Sequence, residues 1–576
     1  MKRLIVVGLL LVGLSALLIA PAAAAAPTDL NRLASWFPES TLVFVSLRTD
    51  DDYIAVWDSL LERLQGVVPN AEDVQLLGES LDNGIAEAFG GGDFQSTIRP
   101  WLGEVASLGI ISLETAFDDN RRNDDEVPVL AAVEITDRDA AEAFFDDVLT
   151  TRRKQTQGDF ITYQFRGDNR EPMILALGAD VALLATNDTS ILPTEMPAAP
   201  LSAAADFNST LALLPEPDYN ISVYLNLGTL VESMMGAEGQ FAMMDPTGGL
   251  LAIAGLAPSQ VWGFTVLDGR SLTIDIVQPY GGAYLKRIEE MGLSVEQPGP
   301  VNPEIVARIP AGMPLVMYGN DLGLLLRNGL QNLRVQSDML AGSGLNPEDI
   351  EQGLAQATVA VQAVTGLDLE TELLPALSGG YALYAGLSAD AAEATDMQSL
   401  MSGGFPAEFG LLVEVSGEGV ASQIVTGLET VIKAAEPTNI TFEEATLGDA
   451  TGLRLIAQPD QDMPMTIELL ILATDNLLFI GTPGAAQASL GADGGLRADA
   501  TFQAAEGLLL ENASQVLYMS GPDLLPLVQL AGMAGGNESE VEQANAAIGA
   551  LLESGTISTA TADDIIYYRA VWTLPE

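Results

Sequence analysis

The chain contains no cysteine and no histidine. Without cysteine there is no disulfide, no thiolate nucleophile and no sulfur ligand for zinc or copper. Without histidine the usual general base of serine and cysteine hydrolases is missing, and so is the commonest nitrogen ligand of transition metals. Lysine is nearly absent, occurring only as Lys2, Lys154, Lys286 and Lys433. Basic residues number 24 against 79 acidic ones, a formal charge of −55. A chain so charged has little to offer phosphates, which excludes nucleic acid as a partner and makes anionic membrane surfaces poor ones. Aromatic residues are 6% of the chain, few for a carbohydrate cleft.

What is present is a globular composition. The 576 residues are 48% hydrophobic and 18% charged. That length is enough for two to four domains of roughly 100–200 residues each, with cores large enough to dispense with disulfides. The acidity has three readings: adaptation to a salty medium that screens self-repulsion, divalent cations held by carboxylates, or a basic partner.

The first residues, Met1-Lys2-Arg3, precede an apolar run over 4–19, then Pro21 and alanines at 22–26. A short basic region, an apolar stretch and small residues make a secretory signal peptide. Pro27 would block a cut after Ala26, so cleavage is expected after Ala25. No cysteine follows the run, which argues against a lipid-anchored lipoprotein. The apolar stretch 248–267 is broken by Pro258, Ser259 and Gln260, and 465–481 carries Glu468 and Asp475 and reads as two strands. The mature chain is expected to be exported (periplasmic, cell-surface or extracellular) and to have no transmembrane segment.

The remainder reads as a duplication. Residues 36–41 and 308–313 each form a proline-containing turn before an apolar strand, 42–47 and 315–318. Strands follow at 105–113 and 380–387, then at 128–135 and 409–415. Asp137 sits where a helix N-cap belongs, and Ala141, Phe144, Phe145, Val148 and Leu149 line one helical face. Val420, Ile424, Leu428, Val431 and Ile432 do the same in the second half. Hairpins are predicted at 174–186 and 470–482. Thr186 and Thr482, Phe207 and Phe502, Tyr224 and Tyr518, and Pro279 and Pro575 recur at separations of 294 to 296. The expected division is 1–25 signal peptide, 26–292 first half, 293–301 linker around Pro298-Gly299-Pro300, and 302–576 second half. Residues 117–126 and 534–542 read as mobile loops. Helices do not alternate strictly with strands, so the predicted fold class is α+β, each half a largely antiparallel sheet with helices packed on one face.

No motif fixes a reaction. Lys154 lies in the cluster Arg152-Arg153-Lys154 and reads as charge at a helix C-terminus; Lys286 reads as helix surface and Lys433 as a helix end. A Ser-Lys dyad therefore has no good candidate. Only an oxygen-seeking cation suits this side-chain set, so no cofactor is expected unless it is calcium. The candidate ligands are Asp50, Asp51 and Asp52, Asp124 and Asp125 near Asp118, Asp119 and Glu126, and Asp460 with Asp462; none has EF-hand spacing. Gly90-Gly91-Gly92 lacks the strand-turn-helix setting of a dinucleotide loop.

The opening element, Phe37-Pro38-Glu39-Ser40-Thr41 followed by a short strand reaching Arg48, resembles a family of exported bacterial proteins of unknown function. The strand-helix units beginning at Val129 and Gly410 are similar to the same family. The resemblance implies an extracytoplasmic α+β protein and transfers no catalytic residue. The leading expectation is a non-enzymatic envelope protein that binds or scaffolds, with a groove between its halves for an apolar ligand or an envelope protein. The alternatives are a carboxylate-dependent hydrolase acting on glycans and a surface protein assembled by cations.

Overall fold

A computed structural model describes residues 27–575, except 66–75, 77, 84–92, 113–126, 150–152, 167–171, 187–188, 194, 217, 237–258, 268–269, 281, 291–295, 340–346, 389–390, 392–405, 435–439, 459–465, 492–494 and 534–537. Residues 1–26, expected to hold a signal peptide, residues 117–126, expected to form a loop, and Gly90-Gly91-Gly92 therefore lie outside the described residues. Two compact units divide the chain: Met1–Arg287 with Asp563–Tyr567, and Ile288–Ala562 with Tyr568–Glu576.

Unit 1 is built on β1 (Val43–Arg48), β2 (Leu102–Ile110), β3 (Val129–Ile135), β4 (Arg153–Gln157), β5 (Phe160–Arg166), β6 (Pro172–Leu177), β7 (Val181–Thr186), β8 (Ile221–Leu225), β9 (Gln260–Leu267) and β10 (Ser271–Pro279). Hydrogen bonding orders them β10-β9-β8-β1-β2-β3-β7-β6-β5-β4, antiparallel throughout. Its helices include α1 (Asp51–Gln65), α2 (Phe94–Thr97), α3 (Arg138–Val148) and α4 (Ala205–Leu211).

In unit 2 the strands are β11 (Leu315–Asn320), β12 (Gly380–Leu387), β13 (Ala407–Glu414), β14 (Ile440–Leu447), β15 (Ala450–Ala457), β16 (Ile467–Ala473), β17 (Leu477–Gly481), β18 (Gln515–Ser520), β19 (Ser554–Ala562) and β20 (Ile565–Thr573), the last belonging to this unit from Tyr568 onward. Their order is β20-β19-β18-β11-β12-β13-β17-β16-β15-β14. Its helices include α5 (Pro303–Ala307), α6 (Leu322–Met339), α7 (Pro347–Thr365), α8 (Val420–Ala434), α9 (Pro483–Gly491), α10 (Ala500–Glu506), α11 (Gly521–Met533) and α12 (Glu538–Leu551). The α+β class stands, with antiparallel sheets.

The local signals act as the sequence leads one to expect. Asp137 caps α3 by accepting from the Ala140 N–H at 3.0 Å, and α3 buries Ala141 and Phe145. The helices, however, are not confined to one face of each sheet. In unit 1, Val45 and Leu47 of β1 share a core with Tyr53, Ile54 and Trp57 of α1 and Phe145 of α3. Phe44, pointing the other way, joins Phe207 and Leu211 of α4. Unit 2 likewise has Phe502 of α10 in one core and Ile424 and Val425 of α8 in the other. The reason is composition: every residue of β7 (Val-Ala-Leu-Leu-Ala-Thr) is buried, and a strand apolar on both sides needs cover on both.

Two further expectations change. Residues 538–542 open α12 and so are not loop. Arg153 and Lys154 belong to β4, an edge strand exposed at every residue, rather than to a helix end. Of the hairpins β4–β5 and β14–β15, the first has no apolar alternation on its outer strand, while β14 keeps Ile440, Phe442, Ala445 and Leu447 half-buried, an alternation interrupted between Phe442 and Ala445. Each turns through Gly-Asp, with Gly158 at φ 59° and Gly448 at φ 63°, a backbone that glycine adopts without steric cost.

A candidate apolar binding face

Paired residues in adjacent strands present their side chains to the same face of a sheet. Met317 of β11 pairs with Leu383 of β12 on one side and Leu517 of β18 on the other, and Leu517 pairs with Ile557 of β19. Leu383, Met317, Leu517 and Ile557 therefore form one row across four strands. Two residues away runs a second row, Ala385, Leu315, Met519 and Gly555; on the other side lie Tyr381, Gly319, Gln515 and Thr559. None of the twelve is charged. The opposite face carries Val316, Tyr318, Ala382, Tyr384, Val516 and Tyr518, all buried.

In the first row Met317 is half-buried against the core of Tyr381 and Val413, and the other three residues are exposed. Leu383 is 45% exposed, Leu517 36% and Ile557 48%, and Leu315 beside them is 45% exposed. Leu325 and Leu326 of α6 are exposed as well, as are Tyr568 and Trp572 of β20. The Trp572 indole N–H donates to the Leu551 carbonyl at 2.5 Å, which holds the ring in place. Among the described residues, Met196 is the one large exposed hydrophobic side chain of unit 1, so the apolar exposure is concentrated in unit 2. The same row in unit 1 is Leu108, Val45, Val223 and Trp262. There Val45 and Val223 are 8% and 7% exposed, in a core with side chains of α1 and α2.

The polar candidates go to structural partners. Asp50 pairs with Arg48 at 2.5 Å and accepts from the Tyr53 N–H at 3.1 Å, at the head of α1. Asp51 instead accepts from Gln95 at 3.2 Å and faces Arg99 at 3.5 Å, while Asp52 is exposed. The triplet thus does not converge on one point. Asp124, Asp125, Asp460 and Asp462 lie outside the described residues. Among the described residues, no three acidic side chains are grouped to hold a metal ion.

Lys154 reaches Glu142 at 2.6 Å and Asp146 at 2.8 Å on α3. Desolvation lowers its pKa somewhat, but the hydrogen bonds it donates to these two carboxylates outweigh it and hold the ammonium well above its ordinary value. A lysine serving as a base needs the reverse. Lys433 pairs with Glu429 along α8.

Sequence reasoning missed two carboxylates. Glu134 of β3 takes both arms of Arg32, Nε to Oε1 at 3.0 Å and Nη2 to Oε2 at 2.6 Å, and accepts from the Glu104 N–H at 2.8 Å. At the corresponding point of β13, Glu414 accepts from Asn302 Nδ2 at 3.0 Å and from the Gly380 N–H at 2.8 Å. Each ties the opening segment of its unit to the sheet. Their signal was positional: a glutamate five residues after the one paired with Thr186, or lying beside Thr482, at the end of an otherwise apolar strand.

Buried Tyr224 and Ser259 meet the exposed Asp206: the Tyr224 hydroxyl lies 2.8 Å from Ser259 Oγ and 3.1 Å from Asp206 Oδ2, and Ser259 also donates to Asp206. Burial drives the Tyr224 pKa far up, so the phenol stays protonated. Among the described residues no helix is long and apolar enough to cross a membrane.

The family model described as "Protein of unknown function (DUF3352)" matches residues 4–520. Two solved structures, crystal forms III and I of TP0453, align with 46% of this chain and with 89% and 86% of their own, at 9% and 7% identity and a TM-score of 0.22 each. No curated protein matches.

Proposed function

This chain belongs to the DUF3352 family of proteins of unknown function, and from that premise we propose that it is a non-enzymatic binding or scaffolding protein of the cell envelope or exterior. The observation that carries the reading is the uncharged sheet face of unit 2, with Leu383, Leu517 and Ile557 each more than a third exposed. Contiguous apolar exposure of this kind is costly in water and typically marks an interaction surface. Export is supported by the basic start, apolar run and alanine tract of residues 1–26.

We also read the two units as copies of one ten-stranded plan. The two strand orders support this, position for position, and so do the Gly-Asp turns and the paired carboxylates Glu134 and Glu414. The aromatic packing agrees: Phe207 meets Tyr224 edge-on at 4.9 Å and 82°, and Phe502 meets Tyr518 at 5.0 Å and 87°. On this reading one copy buries Val45 and Val223 of its apolar row and the other leaves Leu383, Leu517 and Ile557 exposed.

The test is native mass spectrometry of the protein recovered from its own host. The expected result is an excess mass that disappears on denaturation and is absent from a Leu517→Asp, Ile557→Asp variant. A bare chain mass in both would overturn the binding reading.

A further inference from the structure

Independently of the apolar face, we infer that the chain assembles with copies of itself edge to edge, β4 of one copy pairing with β14 of the next. Among the described residues β4 pairs with β5 alone and β14 with β15 alone, so each is the outer strand of its order. Every residue of β4 is exposed, as are Thr441, Glu443, Glu444 and Thr446 of β14. Neither strand contains proline or glycine, which would spoil an edge for pairing. An outer strand turns half of its N–H and C=O groups away from its neighbour, and these are a template for another strand.

Charge decides which edges meet. Charged side chains on an outer strand ordinarily keep copies apart. Here the two edges carry opposite signs. Arg152, Arg153 and Lys154 stand together in a chain with 24 basic residues, and β14 carries Glu443 and Glu444. Two β4 edges would set basic residues against basic, and two β14 edges glutamate against glutamate. Only the mixed pairing brings opposite charges together. The net charge of −55 opposes contact between copies. That repulsion is screened beyond about 8 Å at roughly 0.15 M salt, whereas directly opposed residues of paired strands lie about 5 Å apart.

The hairpins fix the register. β4 and β5 turn through Gly158-Asp159 and close on the pair Gln157 and Phe160; β14 and β15 turn through Gly448-Asp449 and close on Leu447 and Ala450. The closing pair of a two-residue turn is a hydrogen-bonded one, and the pattern alternates from there. Gln157, Gln155 and Arg153 therefore turn their backbone groups toward β5, and Lys154 and Thr156 turn theirs outward. In β14, Leu447, Ala445, Glu443 and Thr441 turn toward β15, and Thr446, Glu444, Phe442 and Ile440 outward. Outward residues must face outward residues, so an antiparallel seam sets Arg153 opposite Glu443 and never opposite Glu444. Lys154 then falls opposite Phe442 and diagonal to Glu444. The faces agree: Lys154 stands beside Tyr163, in a core with Phe145 of α3, and Phe442 beside Leu455, packed on the core with Ile424 of α8. Lys154 is shared with Glu142 and Asp146, and Glu443 lies 3.7 Å from Arg454, so the exposed Arg153 carries the main contact.

Each copy has one edge of each kind, so the contact is head-to-tail and repeats until a ring closes or a filament grows. Sedimentation velocity of the full chain over a rising concentration series, in about 0.15 M salt, reads it. Wild type is expected to sediment faster as concentration rises. Arg153→Glu with Lys154→Glu leaves a copy with two acidic edges, and Glu443→Lys with Glu444→Lys leaves one with two basic edges. Each alone should lose roughly tenfold or more in association constant, and an equal mixture of the two should regain it. Wild type that stays monomeric at every concentration, reversals that leave association unchanged, or a mixture of folded variants that fails to regain it would each overturn the inference.

Lys154→Glu also breaks the contacts with α3, so a backbone variant is measured beside it. Thr156→Pro removes an N–H that points away from β5 and leaves the β4–β5 bonds intact. It should block association while its far-ultraviolet circular dichroism matches wild type. Where the charge variant misfolds, this one decides, and association equal to wild type would overturn the inference. The Leu517→Asp, Ile557→Asp variant separates the edge from the apolar face and is expected to assemble as wild type does. Loss of association in that variant alone would assign the contact to the apolar face and overturn the edge pairing.

Discussion

Arg32 and Glu134, 102 positions apart in the chain, meet in a two-pronged ion pair that ties the opening turn of unit 1 to the edge of β3. Burial alone would raise the Glu134 pKa. The Arg32 guanidinium and the Glu104 N–H prevail and hold it below the usual carboxylate range. A carboxylate with a depressed folded pKa adds stability above its unfolded pKa, about 4.3, and loses it as pH falls through the folded value. Glu134→Gln is therefore expected to cost about 1 kcal/mol at neutral pH, a modest figure because a third of the Arg32 side chain meets solvent. Urea unfolding of wild type and variant should differ at pH 7 and converge in acid. Equal stability at pH 7 would show the pair to be neutral.

Tyrosine burial acts at the other end of the scale. Desolvation pushes the Tyr381 and Tyr384 hydroxyls up to about 12, the Ser489 contact opposing it in part at Tyr384. The folded state then keeps protons that an unfolded tyrosine releases near about 10. Stability should fall from about pH 10 up to the folded value. Tyr381→Phe should flatten that decline in alkaline unfolding curves; an unchanged slope would assign it to other groups.

Gly410 is a packing requirement. A Cβ at this position would overlap the hydroxyl end of the fully buried Tyr384 ring, and that same hydroxyl is held by Ser489 Oγ at 2.5 Å. The ring has nowhere to move, so Gly410→Ala should destabilise the protein by about 2–3 kcal/mol. Thermal unfolding of this variant beside Gly448→Ala, which meets no neighbour but sits at positive φ, would separate crowding from backbone strain.

The edge-on aromatic pairs should matter in both units. Phe207→Leu and Phe502→Leu each remove a ring packed against a buried tyrosine and should each cost about 1–3 kcal/mol. Chemical denaturation of the two variants is the check. A loss confined to one of them would argue that the cores are not built alike.

Much of the fold was legible because its signals are local. The N-cap at Asp137, the hairpins around 177–181 and 473–477, and the recurrence of Thr186 at Thr482 depend on short-range chemistry or on chain register. Arg153-Lys154-Gln155-Thr156-Gln157 was illegible as a strand because an edge strand with both sides in water needs no apolar alternation. The long helices α6 and α7 carry leucines that remain exposed or partly so, which blurs their periodicity. The candidate face was hidden for a different reason. Met317, Leu383, Leu517 and Ile557 read as ordinary core residues of four separate strands, and no sequence feature distinguishes them from Val45 and Val223.

The sequence alone determined the exclusions and the class. Chemistry that needs cysteine or histidine is impossible whatever the fold, because a missing side chain cannot be supplied by geometry. Strand and helix character followed from apolar period and caps, which act within a few residues. Only the tertiary structure decided that helices pack on both faces of each sheet, that Glu134 answers Arg32, and that Val45 and Val223 are buried while Leu517 and its neighbours Leu383 and Ile557 stay more than a third exposed. These are outcomes of register between distant strands and of which helices come to lie over them, and neither is set by any single stretch of chain.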